Sequence, residues 1–232
     1  MARAISNKNV QSAKFDTADF GGEWLASFGR PELRRSWFVW SGSGCGKTTF
    51  MLMLCKYLTR FGRVAYNSLE EGLSSAFQMA WNRVGMAEVG NKIIFLEKEP
   101  LLELRQRLHR RNRPDVVVID SLMCLVGFTR RDYLNLIDEF PDTLFIFLCH
   151  ENNRKPDPHV GEVIRRLSDV KIHIEGYTAQ ITTRYENAER GEGGADFVIW
   201  EEGAAAYRGR MAEVAETAPK KRKKVETDQS TD

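Results

Sequence analysis

The sequence predicts one α/β domain: a mostly parallel central sheet flanked by helices, with antiparallel strands added at the carboxyl-terminal end. Three observations carry that expectation. Strand-length apolar runs such as "DVVVID" (115–120) and "TLFIFLCH" (143–150) are hydrophobic on both faces, as strands covered by helices on either side must be. Segments with helical apolar spacing separate them, which is the alternation that parallel crossovers need. The last third changes to residue-by-residue alternation, the pattern of strands with one solvated face. With 232 residues, 42% hydrophobic and 28% charged, the chain can bury a full core and is short enough to be one domain.

Taken in order, "SWFVWS" (36–41) is the first strand and feeds a glycine-rich loop, and "KTTFMLMLCKYLTRFG" (47–62) follows with helical spacing and a glycine stop. A second strand, "RVAYNSL" (63–69), a second helix, "GLSSAFQMAWNRVG" (72–85), and a third strand, "KIIFLE" (92–97), come next. "LLELRQRLHRRN" (101–112) reads as an amphipathic helix, "DVVVID" as a buried strand, "RRDYLNLIDEF" (130–140) as a helix and "TLFIFLCH" as a strand. "DVKIHIEG" (169–176) and "AQITTRY" (179–185) alternate across a tight Gly176–Tyr177 connection, and "DFVIW" (196–200) adds a strand after "ERGEGG" (189–194). The domain is expected over 16–217, between an amino-terminal extension (1–15) and a disordered basic tail (218–232).

The net charge of +2 resides in that tail, which holds five basic and three acidic residues and leaves 29 of each in the body. Lys220, Lys221, Arg222, Lys223 and Lys224 are open to three readings: a solvating tail, a nucleic-acid contact that releases counterions, or an import signal. No run approaches the roughly 18 to 20 apolar residues of a membrane helix, and the amino terminus has no secretory h-region, so a cytoplasmic protein without a membrane partner is expected. Four scattered cysteines form no C-x-x-C pair, which argues against a zinc knuckle or a disulfide frame. Four histidines lack helical metal spacing, so metal is expected to arrive with a nucleotide.

The chemistry centres on "SGSGCGKTT" (41–49), which fits the phosphate-loop pattern G-x-x-x-x-G-K-[ST] except that Ser41 stands at its first glycine. Gly42, Gly44 and Gly46 let backbone N–H groups converge on phosphate oxygens at the positive end of the next helix. Ser43, Cys45 and Thr49 complete the binding run, Lys47 would neutralise the β- and γ-phosphates, and the Thr48 hydroxyl would ligate Mg²⁺. Ser41 is tolerable at the strand-to-loop hinge if its backbone stays in an allowed region. "PDVVVIDS" (114–121) ends a strand in Asp120, from which a carboxylate can hold the Mg²⁺ hydration shell. "NSLEEG" (67–72) puts two glutamates beyond the second strand: Glu70 is the better base for water, and Glu71 fits a helix amino-terminal charge equally well. His150, at the tip of "TLFIFLCH", is either a γ-phosphate sensor or a satisfied polar residue.

The order of these parts resembles the RecA-like ATPases over roughly residues 16–203, most closely the bacterial RadA branch, with DnaB helicases and KaiC as cousins. "VAYNSLEEG" is similar to that family's strand ending in the catalytic glutamate, "PDVVVIDS" to its Walker B strand and "CHENNRKPDPHVGEV" to its sensor histidine and nucleic-acid loop. "IHIEGYTAQITTRYEN" resembles the strand pair ending in K-N-R-F, and "GADFVIWEEGA" the closing strand. The resemblance implies Glu70 as base, Asp120 as the magnesium-associated carboxylate, His150 as sensor and Arg184 as a finger acting on a neighbouring subunit's nucleotide; Thr182 stands where the family has lysine. An arginine on a solvated strand face is the plainer account of Arg184.

It further implies an ATP-hydrolysing protein that forms a ring or filament, with a hexamer expected, and binds single-stranded DNA through segments 122–131 and 151–158 during replication or recombination. The format suggests a phage or other mobile element. Neither segment is strongly basic or offers an aromatic platform, so DNA is implied by the resemblance rather than by charge. A KaiC-like regulatory ATPase without nucleic acid is the first alternative and a P-loop small-molecule kinase the second.

Overall fold

The computed structural model describes residues 4–217 except 153 and 158. The basic tail and the roles expected of it therefore lie outside the described residues. The elements in chain order begin with α1 (Asn7–Gln11), α2 (Gly22–Phe28), β1 (Arg35–Ser41), α3 (Lys47–Leu58), β2 (Val64–Ser68), α4 (Ser75–Val84) and β3 (Ile93–Glu97). They continue with α5 (Leu101–Leu108), β4 (Val116–Asp120), α6 (Arg130–Glu139), β5 (Leu144–Asn152), β6 (Lys155–Asp157) and α7 (His159–Leu167). The last are β7 (Val170–Glu175), β8 (Thr178–Thr183), β9 (Phe197–Val198) and α8 (Glu201–Thr217).

One nine-stranded sheet runs β3-β2-β4-β5-β1-β7-β8-β9, with β6 hydrogen-bonded to β5. The pairs from β3 to β7 are parallel, and β8, β9 and β6 are antiparallel additions. Strand alternation sends successive residues to opposite layers: Trp37 and Val39 of β1 pack with Phe28, Phe50 and Leu54 on one face, and Phe38 packs with Phe147 and Ile164 on the other. Both layers are buried, so the central strands are mainly apolar, and their buried polar residues, such as Ser36 and Asn67, are hydrogen-bonded. Each fully buried Phe or Leu there contributes about 1.5–3 kcal/mol.

Helix boundaries follow local chemistry. Ser74 caps α4 by accepting from Phe77 N at 3.0 Å, and Gly85 ends it in the left-handed conformation. Thr129 and Asp132 form a capping box that opens α6.

Helices α1 and α2 lie in a stretch to which the sequence reading assigned no element, and the carboxyl-terminal half differs from that reading as well. "ENNRKPDP" is not an open loop: β5 runs on to Asn152 and folds back as β6, with Glu151 opposite Pro156. Helix α7 follows, where no helix was expected. The closing strand shortens to Phe197–Val198 because Trp200 turns into α8, whose Gly203 lies under the indole.

Register positions the site. Ser41 pairs with His150, and Ser68 pairs with Asp120, so the carboxyl-terminal tips of β1, β5, β2 and β4 finish level. In a parallel sheet that edge is where loops can converge on one ligand.

Candidate active site

Ser41 ends β1, is buried and donates its hydroxyl to Gly42 O at 2.9 Å. Its φ lies outside the left-handed region, so a serine costs nothing at this hinge. Gly44 (φ 75°) and Gly46 (φ 94°) do occupy that region. A Cβ on Gly46 would also stand 3.1 Å from the Tyr177 ring, and one on Gly42 would stand 3.2 Å from Glu151 Oε1. Gly46 then caps α3, whose first free N–H groups face the loop. Lys47 opens that helix, and its Nζ is buried without a hydrogen bond among the described residues. A buried ammonium without acceptors is costly, and an anion in the adjoining cleft is the partner that would satisfy it.

That cleft measures about 290 Å³ and is lined by the loop glycines, Lys47, Thr48, Glu70, Asp120 and His150. Glu70 N donates to Asp120 O at 3.1 Å, which ties the residue after β2 to the tip of β4. The Glu70 carboxylate accepts from His150 Nε2 at 2.9 and 3.0 Å. Burial alone would raise the Glu70 pKa, but the His150 hydrogen bond and the positive charges of His150 and Lys47 hold it below the usual carboxylate range. Glu70 is therefore ionised at neutral pH. Asp120 behaves oppositely: burial pushes its pKa up, although the Tyr66 hydroxyl donates to it at 2.5 Å and Lys47 lies near. Two carboxylates, one half-exposed and one enclosed, thus flank the same orphaned ammonium. Thr48 and Asp120 offer hard oxygen donors of the kind Mg²⁺ takes.

The other expected residues fall elsewhere. Glu71 lines the cleft but accepts from the Ser74 hydroxyl, the capping residue of α4. Cys45 is half-exposed, with its thiol turned to Ser43 O at 3.7 Å. Arg184 is not in the cleft; it follows β8 at the opposite end of the sheet and pairs with Asp169 at 3.0 Å. The length of β1, roughly 20 Å at 3.3 Å per residue, separates it from the phosphate loop. Arg154 pairs with Glu175, and the segment 122–131 opens with a 3₁₀ turn (Leu122–Cys124), presents Val126 at 97% exposure and runs into the start of α6.

Sequence reasoning passed over three contributors. Tyr66 is hidden in the apolar pattern of β2. Tyr177, in the tight turn noted above, roofs Gly46 and donates its N–H to Cys45 O at 3.2 Å. Glu151 stands beside Gly42 and accepts from His173 Nε2 at 2.7 Å, while the His173 ring stacks on Trp40. A polar residue directly after the sensor position was the available signal for Glu151.

With this geometry in view, solved structures give a fold comparison. The flagellar accessory protein FlaH from Methanocaldococcus jannaschii superposes with a TM-score of 0.55 at 13% identity, covering 79% of this chain and 93% of that one. A second solved structure, the ATPase domain of another protein, gives a TM-score of 0.52 at 14% identity, covering 75% of this chain and 84% of that one. The fold is RecA-like. No protein-family model and no curated protein matches the sequence. Among the described residues, no helix is long and apolar enough to cross a membrane.

Proposed function

We propose that this chain is a magnesium-dependent ATPase that cleaves ATP to ADP and phosphate, assembles with copies of itself and assists DNA replication or recombination in a phage or other mobile element. The observation that carries the catalytic part is the buried, unsatisfied Lys47 Nζ sharing one cleft with Asp120 and the Glu70–His150 pair. Bound at Thr48 and Asp120, Mg²⁺ would supply charge neutralisation to the phosphate oxygens.

The chain's own residues supply the rest. The loop N–H groups and Lys47 bind and orient the triphosphate. Glu70 aligns a water on the γ-phosphorus and takes its proton as the new P–O bond forms and the bond to the β-phosphate oxygen breaks. His150 holds Glu70 in place and is set to register loss of the γ-phosphate. Arg184, on the far edge, reaches a nucleotide only across an interface in a ring or filament, for which a hexamer is the expected size.

A regulatory ATPase that touches no nucleic acid is the second reading, favoured by the charge-neutral body and by the likeness to a flagellar accessory protein. Steady-state ATP hydrolysis with and without single-stranded DNA separates the two. DNA-stimulated turnover supports the first; turnover indifferent to DNA, with no retention on DNA at low salt, supports the second. A phosphorylated second product in place of free phosphate would instead mark a small-molecule kinase.

A further inference from the structure

A second cavity, larger than the phosphate-loop cleft, opens elsewhere on the molecule. It is a groove of about 810 Å³ on the α3–α4 face, floored by Met53 and Tyr57 and rimmed by Lys56, Arg60, Arg83 and Lys92. Among the described residues only Lys56 of these four forms an ion pair, with Glu88 at 2.9 Å. Arg60, Arg83 and Lys92 are exposed. The Arg60 guanidinium lies 5.1 Å over the Tyr57 ring, which itself stacks on Trp24 with centroids 4.9 Å apart.

The positive charge continues past the groove. Exposed Arg63 donates to Asn112 O at 2.7 Å, which joins the groove's end to the turn carrying Arg110 and Arg111. Both are exposed and form no ion pair among the described residues. Parallel register explains the alignment: Lys92, Arg63 and Arg113 each precede β3, β2 or β4, neighbours in the sheet, so their cations share its amino-terminal edge. Cations past helix ends complement helix dipoles. That local preference does not account for Arg60, Arg83, Lys92, Arg110 and Arg111 together standing without a carboxylate partner among the described residues.

We infer that this band binds a single nucleic-acid strand, with phosphates along Lys92, Arg83, Arg60 and on to Arg110 and Arg111, and a base against the Arg60–Tyr57 stack. Cations spaced along a groove with an aromatic floor are what sequence-independent single-strand binding uses. The segments expected to contact DNA from the sequence are poorer candidates, since Arg154 is tied to Glu175 and Val126 presents an apolar tip. The inference rests on the nucleic-acid part of the proposed function and not on hydrolysis.

The test is fluorescence anisotropy of a labelled single-stranded oligodeoxynucleotide with the full chain, across a salt series. Three cations are removed together by Arg60→Ala, Arg83→Ala and Lys92→Ala. At about 0.7 per phosphate contact, the slope of log affinity against log salt should fall by about 2, which is a change of roughly 20-fold between 50 and 200 mM salt. Arg60→Lys with Arg83→Lys should keep the slope, and retained binding of a fluorescent ATP analogue shows each variant folded. Two outcomes overturn the band while leaving the proposed DNA role intact: a triple variant that binds like the parent, or one that changes only self-association in light scattering. No binding by the parent chain at 50 mM salt overturns both.

Discussion

Glu70→Gln tests the catalytic reading most sharply. The substitution keeps the side-chain volume and leaves an oxygen to accept from His150, but removes the charge and the basicity. The Glu70 side chain is 46% exposed, so its ion pair with His150 contributes under about 1 kcal/mol and the variant should stay folded. Loss of a general base costs about 10²–10⁴ in rate, or roughly 3–5 kcal/mol of barrier, with nucleotide binding intact. The assay is phosphate release under saturating ATP, with binding of a labelled nucleotide measured in parallel. Because the Glu70 pKa is lowered in the fold, its contribution to stability is present above the ordinary carboxylate range and lost as pH falls through the folded value; the variant should lack that acid limb in its Tm-against-pH profile. Glu71, engaged with the Ser74 cap, is the matched control. Turnover by Glu70→Gln within tenfold of the parent, with Glu71→Gln slowed a hundredfold or more, would refute the assignment.

Lys47→Ala should abolish nucleotide binding in equilibrium titration, because among the described residues no other ammonium lines the cleft. Asp120→Asn should raise the Tm of the nucleotide-free protein, since burial disfavours the ionised carboxylate in the fold, while Mg²⁺ no longer increases ATP affinity in paired titrations. Gly29→Ala should lower Tm by about 6–12 °C, at roughly 3 kcal/mol or more and 2–4 °C per kcal/mol, because its Cβ would lie 2.1 Å from Tyr185 O at φ 70°. Alkylation of Cys45 should block ATP binding and ATP should protect the thiol, which mass spectrometry of the labelled peptide reads directly.

The parallel sheet was legible because its strands are apolar on both faces and its helices are spaced between them; Gly85 closes α4 where the sequence ends that helix, whereas α3 stops at Leu58, four residues before the glycine expected to end it. The carboxyl-terminal region was harder for two physical reasons. Strand β6 has three residues and exists only by pairing with β5, a contact that periodicity does not record. Helix α8 opens on Glu201 and Glu202 and continues with small residues and weak apolar spacing; Ala204 is buried, Trp200 covers Gly203, and Tyr207 donates to Glu175 at 2.9 Å, so tertiary packing fixes its start. Within the site, the separate strand tips could be read one by one. Their meeting depends on the order β2-β4-β5-β1, which sequence spacing leaves open.

Conflicts between local and global preference concentrate at that meeting point. Among the described residues Lys47 is an ammonium without an acceptor, Asp120 is a carboxylate that burial pushes towards its neutral form, and Gly44 and Gly46 hold left-handed backbone. Each lowers the stability of the nucleotide-free fold, and one triphosphate with a divalent cation would relieve the first two together: the anion satisfies Lys47, and the cation stabilises ionised Asp120. Gly29 also has positive φ, yet it sits against the Tyr185 backbone, remote from the phosphate loop, where only packing explains it. Stability and function should therefore oppose one another at Asp120 and coincide at Gly29. That contrast separates a working site from a fold that merely retains the loop's shape, because a vestigial loop has no reason to keep an unpaired ammonium and a buried carboxyl group facing one cleft.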